Sequence, residues 1–199
     1  YSFDATVMGV GVRGIIDVGT FRDADDNLLT QAGGAEIHPK SAKLIWQDME
    51  GLITQVAFNS TTNRVEFVKG TGSGNALIAV YDDNDPNAEN AKCLWSWHIW
   101  CAPRPSDRYI HSESGGTIYT FMDRNIGAVS DAVGDNSYGL YYQWGRKDPF
   151  EKPGKPLFDV LGMKVSALHE LKRVSLSEGI INPMSFFSKG TDIRTAWSF

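Results

Sequence analysis

Apolar and polar positions alternate along much of this chain, in short runs broken by glycine, asparagine and acidic residues. Residues 3–8, 44–47, 53–58, 64–68 and 75–81 each read as a strand. Residues 48–51 and 59–63 read as turns, 69–74 as a flexible glycine-rich connection and 82–92 as an acidic one. The densest apolar run is Cys93-Leu-Trp-Ser-Trp-His-Ile-Trp-Cys101. At period two, Trp95, Trp97 and Ile99 share one face, and Leu94, His98 and Trp100 share the other. Both faces are largely apolar, which predicts a strand buried on both sides, the spine of its domain. Pro103 and Pro105 follow it and no capping residue opens it, which disfavours a helix. Tyr81 and Leu94 are expected to flank the hairpin connection. Short strands separated by turns predict an antiparallel β-sandwich over residues 1–105.

The pattern changes after Pro103. Prolines at 103 and 105 and the run Ser112-Glu-Ser-Gly-Gly116 punctuate the chain, which places a domain boundary at 105/106. Beyond it, residues 117–122 read as a strand and 130–137 as a loop. Residues 140–144 read as a short helix or strand, which periodicity alone does not separate. Residues 145–156 form a basic, proline-bearing loop. A helical turn opened by Ser177 is expected before Pro183. The whole is thus predicted to be mainly β, with a smaller α+β domain over residues 106–199.

Charge narrows the partners. The formal net charge is −5 and the basic residues are scattered, which argues against a nucleic-acid surface. No run approaches the ~18 apolar residues that span a bilayer. The chain starts at Tyr1 and ends on Trp197-Ser-Phe199, both apolar, which predicts a fragment or processed form of a longer protein. If Cys93 and Cys101 lie in one extended strand, eight steps of ~3.3 Å hold them ~26 Å apart. A disulfide needs Cα atoms within ~7 Å, so both are expected to be buried thiols.

Candidate chemistry is sparse. Gly9-x-Gly11-x-x-Gly14 matches the letters of a dinucleotide fingerprint, but no amphipathic helix follows it, so a glycine-rich connection is the better reading. Asp23-x-Asp25-x-Asn27 and Asp83-x-Asp85-x-Asn87 open like calcium loops. Both lack the sixth-position glycine and the closing glutamate and read as solvated turns. His98 is expected to be a core histidine bonded to a backbone or hydroxyl partner, and Asp123 with Arg124 a stabilising pair. Tyr138, Tyr141, Tyr142 and Trp144, with Gln143, Arg146 and Asp148, place stacking faces beside planar hydrogen-bonding groups, and Tyr142, Trp144, Arg146 and Asp148 are the candidate ligand-binding residues. That is the chemistry of a sugar platform, and equally of an aromatic core bordered by an ion pair. No cofactor and no metal is expected.

Larger motifs carry a resemblance. Tyr1-Ser-Phe-Asp-Ala-Thr-Val-Met-Gly9, Pro39-Lys-Ser-Ala-Lys-Leu-Ile-Trp-Gln47, Gly74-Asn-Ala-Leu-Ile-Ala-Val80 and Leu94-Trp-Ser-Trp-His-Ile-Trp100 resemble the fimbrillin-like surface proteins of gut anaerobes. Phe121-Met-Asp-Arg-Asn-Ile-Gly-Ala128, Gly139-Leu-Tyr-Tyr-Gln-Trp-Gly-Arg-Lys-Asp-Pro-Phe150 and Ile180-Ile-Asn-Pro-Met-Ser-Phe-Phe187 are similar to the FISUMP-type domain that often follows. The resemblance implies a pilus tip or accessory subunit, exported to the cell surface and outer membrane. It implies membrane attachment only through a lipid anchor outside these residues, and no catalytic residues. This chain departs in carrying cysteines at both ends of the tryptophan run. It also stops where relatives usually continue through a cysteine- and proline-rich section, so a truncated second domain is expected.

The function expected is a structural or adhesive subunit of a pilus or outer-membrane adhesin. Its partners would be other pilin or surface-protein subunits, joined by strand exchange, and a host or glycan ligand. The alternative is a surface glycan-binding module. An enzyme is disfavoured because the acidic residues form no arranged set. Strand exchange uses open main-chain edges, so residues 1–8 are expected at a sheet edge.

Overall fold

The computed structural model describes residues 1–8, 36–111, 116, 118–143, 146–150 and 154–188. The glycine motif at 9–14, the acidic loop at 23–27, Trp144 and the segment 197–199 lie outside the described residues.

The chain is mainly β, as expected. The first half contains β1 (Ser2–Asp4), β2 (Ser41–Gln47), β3 (Ile53–Asn59), β4 (Arg64–Lys69), β5 (Gly74–Tyr81) and β6 (Cys93–Cys101). The second half contains β7 (Asp107–His111), β8 (Ile118–Met122), β9 (Tyr141–Tyr142), β10 (Pro149–Phe150), β11 (Leu157–Phe158), β12 (Lys164–Val165), β13 (Leu168–Glu170), α1 (Leu176–Ile181) and β14 (Ser185–Phe187). Two sheets make the frame: an antiparallel β1-β4-β3 sheet and an antiparallel five-stranded sheet in the order β12-β11-β2-β5-β6. Strands from beyond residue 105 thus extend the sheet that β2, β5 and β6 begin. β1 pairs only with β4 and stands at the edge of its sheet, as expected of this end, but it stops at Asp4 where a strand to residue 8 was expected, and Val7 makes only an isolated bridge to Glu36.

The centre of the larger sheet is β5, every residue of which is buried. Alternation sends Ala76, Ile78 and Val80 to one face, where they pack with Leu44, Leu52, Ile53, Val65 and Trp95 between the two sheets. Leu77, Ala79 and Tyr81 go to the other face and meet Ile45, Trp46, Cys93 and Leu157. The β5 strand is therefore covered by a layer on each side. The tryptophan strand β6 runs over the expected residues but lies at the sheet edge, with residues 97–100 only partly covered. The two-sided burial expected of β6 belongs to β5, because β5, unlike β6, has a ladder neighbour on both sides as well as an apolar cluster on each face.

Two bulges alter which face a side chain takes. In β2 the register shifts between Leu44 and Trp46, so Leu44 enters the first cluster and Trp46 the second. In β6 the shift lies opposite the Val80/Tyr81 step, with Trp95 across from Val80 and Cys93 across from Tyr81. Leu94 consequently packs against the same cluster as Trp95, and Cys93 joins the opposite one. Strict alternation from sequence had put Leu94 on the face away from Trp95. Both cysteines are free and buried at opposite ends of β6, as the spacing required.

Local chemistry closes the frame. The turn after β2 carries the chain from one sheet to the other, and Gly70 packs so closely on it that an added Cβ would strike the Gly51 carbonyl oxygen. Gln47, wholly buried, accepts from Ile53 N at 2.6 Å and donates to Asp159 O at 2.9 Å, tying that crossing to the second half. The helix α1 is capped by Ser175, whose hydroxyl accepts from Glu178 N at 3.2 Å. The cap is two residues earlier than expected; Ser177 lies inside the helix. β13 and β14 pair in parallel around α1. The stretch read as interdomain punctuation holds β7, which pairs antiparallel with β8 as a ribbon.

Candidate functional site: an aromatic cleft

The aromatic segment after residue 138 splits into two roles. β9 pairs with β10, Tyr141 opposite Phe150 and Tyr142 opposite Pro149. Adjacent strand residues point to opposite faces, so the two tyrosines part company. Tyr142 stays half-exposed, and burial of its hydroxyl, with a smaller contribution from the Asp148 charge, pushes the phenol up to about 12. Arg146 and Asp148 are both buried. Arg146 Nη2 donates to the Asn182 and Pro183 carbonyls at 3.1 and 3.4 Å, and the guanidinium lies over the rings of Phe150 and Phe187. Burial lowers its pKa and the Asp148 charge opposes that shift. Asp148 Oδ1 accepts from Ser96 Oγ at 2.8 Å and from Lys147 Nζ at 2.6 Å. Lys147 also donates to Ser96 O at 3.0 Å and sits 4.4 Å from the Trp95 ring centroid.

Arg146, Lys147 and Asp148 therefore act as a clamp between β6 and the α1–β14 region, with their charges turned inward. Arg146 Nη1 and Asp148 Oδ2 have no hydrogen-bond partner among the described residues. Gln143 completes the clamp: its amide accepts from Phe187 N and donates to Phe187 O, imitating a strand neighbour.

Tyr141 takes the other direction and lines a cleft of about 430 Å³. Trp46, from the switched end of β2, lines it from the sheet side. Phe150, Leu157 and Val165 come from β10, β11 and β12, and Met184 and Phe186 from the β14 side. Phe186 is held edge-on to Phe150 at 5.6 Å and against the His169 ring at 5.5 Å. Polar groups are few: Lys155, Ser166 and His169. None of the described lining residues carries a carboxylate. The volume suits a small ligand or a ring of a larger one, since ligand pockets span roughly 300–1,000 Å³.

A smaller polar pocket of about 150 Å³ lies beside Asp48, Asn75, Asp135 and Asn136, and Lys155 lines both it and the cleft. Behind it, Asn75 organises a buried network. Its amide nitrogen donates to Asp48 Oδ2 at 2.7 Å and to Gly127 O at 2.9 Å. Its oxygen is thus the acceptor left for His98 Nε2 at 2.9 Å, which sets His98 as the neutral Nε2–H tautomer. Burial lowers the His98 pKa to about 4. Burial raises that of Asp48, against the pull of its bonds from Asn75. His98 is partly buried and hydrogen-bonded, but its partner is the Asn75 side-chain amide and not the backbone or hydroxyl group expected.

No group of three His, Cys, Asp or Glu side chains among the described residues could hold a metal ion. Asp83 and Asp85 instead accept from the backbone amides of Asp85 and Asn87, each at 2.9 Å. Asp123 and Arg124 do form a pair, with Arg124 Nε 2.7 Å from Asp123 Oδ1, at the base of the β7–β8 ribbon. Among the described residues no helix is long and apolar enough to cross a membrane. Sequence reasoning found the aromatic segment but missed Trp46, Phe150, Phe186, Lys155 and His169. Of that lining, sequence had singled out Tyr141, one of the stacking faces of the aromatic segment. Comparison with known proteins finds no matching family, no similar curated protein and no similar solved structure.

Proposed function

We propose that the chain is an adhesive subunit of a cell-surface assembly, of the pilus or outer-membrane adhesin kind, and that it acts by holding a ligand in the aromatic cleft. The cleft carries this reading. Its described lining is mostly aromatic and aliphatic and holds no carboxylate, so the described lining residues offer no pair of acids of the glycosidase kind. The β7–β8 ribbon supplies the second requirement of an assembly, a surface for a neighbouring subunit. All ten of its strand residues are exposed, among them Tyr109, Ile110, Ile118, Tyr119, Phe121 and Met122. By strand parity Ile110, Tyr119 and Phe121 share one face of the ribbon and Tyr109, Ile118 and Met122 the other, and exposed apolar surface of this kind marks interaction sites.

The test uses the full-length protein in its native cell. Surface labelling and fractionation are expected to place it in the outer membrane. Phe186→Asp is expected to reduce adherence while leaving surface display unchanged. Confinement to the cytoplasm, or full adherence by the variant, would overturn the proposal.

A further inference from the structure

The cleft has a polarity that its aromatic character hides. Its described lining is mostly apolar, with Trp46 and Phe186 among the aromatic rings. The ionisable groups of the described lining are Lys155 and His169, apart from the Tyr141 phenol. Lys155 is well placed to change partners. Its ion pair with Asp135 spans 3.7 Å between half-exposed side chains, a geometry worth little in water. A ligand group that meets the ammonium beside a desolvated aromatic wall offers a stronger interaction than that pair. The chain carries a net charge of −5, so a described lining that holds Lys155 and His169 and no carboxylate is a local feature and not a consequence of overall charge.

A neutral, hydroxyl-rich ring fits this lining poorly. It would need several hydrogen-bond partners, and desolvated hydroxyls left without them cost free energy. An apolar body needs none, and a single anionic group needs only the lining's cationic and imidazole side chains. Resting on the reading of the cleft as the ligand seat, we propose that its ligand is an apolar, ring-sized body bearing one carboxylate, with the carboxylate received by Lys155 and His169.

Two probes of one shape separate the parts of this proposal: 2-naphthylacetate and its uncharged amide, titrated into the full chain at fixed ionic strength and followed by tryptophan fluorescence. Ala167→Trp, which fills the cleft from its lining, serves as the blocked control. The acid is expected to bind at least about tenfold more tightly than the amide, the equivalent of one charge-assisted hydrogen bond. Lys155→Met is expected to bring the two within about twofold by weakening the acid alone. Lys155 is half-exposed, so the variant should fold as the parent does. Equal binding of acid and amide, or an acid preference that survives Lys155→Met, overturns the carboxylate assignment and leaves the cleft as a ligand seat. No binding of either probe, or binding that Ala167→Trp does not abolish, removes the cleft itself and with it the adhesive reading.

Discussion

The β5 strand and the β7–β8 ribbon are made from similar material and end in opposite surroundings. β5 carries Leu77, Ile78, Val80 and Tyr81, and all eight of its residues are buried. The ribbon carries Tyr109, Ile110, Ile118, Tyr119, Phe121 and Met122, and all ten of its strand residues are exposed. Residue type does not separate them; ladder neighbours and covering layers do. β5 has β2 and β6 alongside it and an apolar cluster on each face. The ribbon has only its own two strands, and an isolated hairpin is marginal in water. Its base is pinned where Ser106 N donates to Asp123 Oδ2 and Asp123 N to Ser106 O, with Arg124 forked onto the same carboxylate. One region stores the stability of the molecule, and the other presents unsatisfied apolar surface.

The largest expected effect lies at the centre of β5. Ile78→Ala should cost about 4 kcal/mol of unfolding free energy, because the wholly buried site sits between two layers that cannot close around a cavity. Urea unfolding measures it, and a loss below ~1 kcal/mol would mean that the two-layer packing around β5 is wrong.

Acid should produce the next largest change. His98 titrates near 4 in the fold against 6.5 in the unfolded chain, so between those values the unfolded state binds the extra proton. Stability attributable to His98 is full above about pH 6.5 and falls by about 3 kcal/mol on descent to pH 4. Raising of the Asp48 pKa acts in the opposite sense in acid, so the informative quantity is the difference between the parent and His98→Gln. Parallel stability–pH curves for the two proteins would contradict the buried neutral imidazole.

A smaller step is expected at α1. Ser175→Ala removes the hydroxyl that accepts from Glu178 N and should cost about 1 kcal/mol, whereas Ser177→Ala should cost less. The reverse ranking in thermal melts would return the cap to Ser177.

The smallest effect belongs to the ribbon. Phe121→Ser should leave stability within ~0.5 kcal/mol of the parent. It should at the same time weaken retention of the protein by its surface assembly, read by co-purification of neighbouring subunits from detergent-extracted envelopes. A large destabilisation would show that the ribbon is part of the core, and the contrast with β5 would fail.

Much of the fold was legible before the structure because strands announce themselves by period. The run Cys93 to Cys101 is β6 to the residue, and the turns at 48–51 and 59–63 lie between strands as their composition required. Errors cluster where period two is interrupted. The bulges in β2 and β6 reverse the facing of Trp46 and Cys93, and nothing local distinguishes Ile45 or Leu94 as the inserted residue. The candidate site was legible in part. Its segment was found, but Arg146 and Asp148 are drawn inward by the backbone carbonyls of residues 182 and 183 and by Ser96, partners tens of residues away.

Sequence by itself determined the class of the fold, the main strands and the separation of the two cysteines, because these follow from side-chain period and chain reach. Tertiary structure alone decided that β5 and not the tryptophan strand is central, and that Tyr141 and not Tyr142 lines a cleft. Only it brought Trp46, Lys155, His169 and Phe186 to that cleft. Those outcomes depend on which strand gains neighbours on both sides and on where one extra residue breaks an alternation. Both are properties of long-range pairing, and no local pattern encodes them.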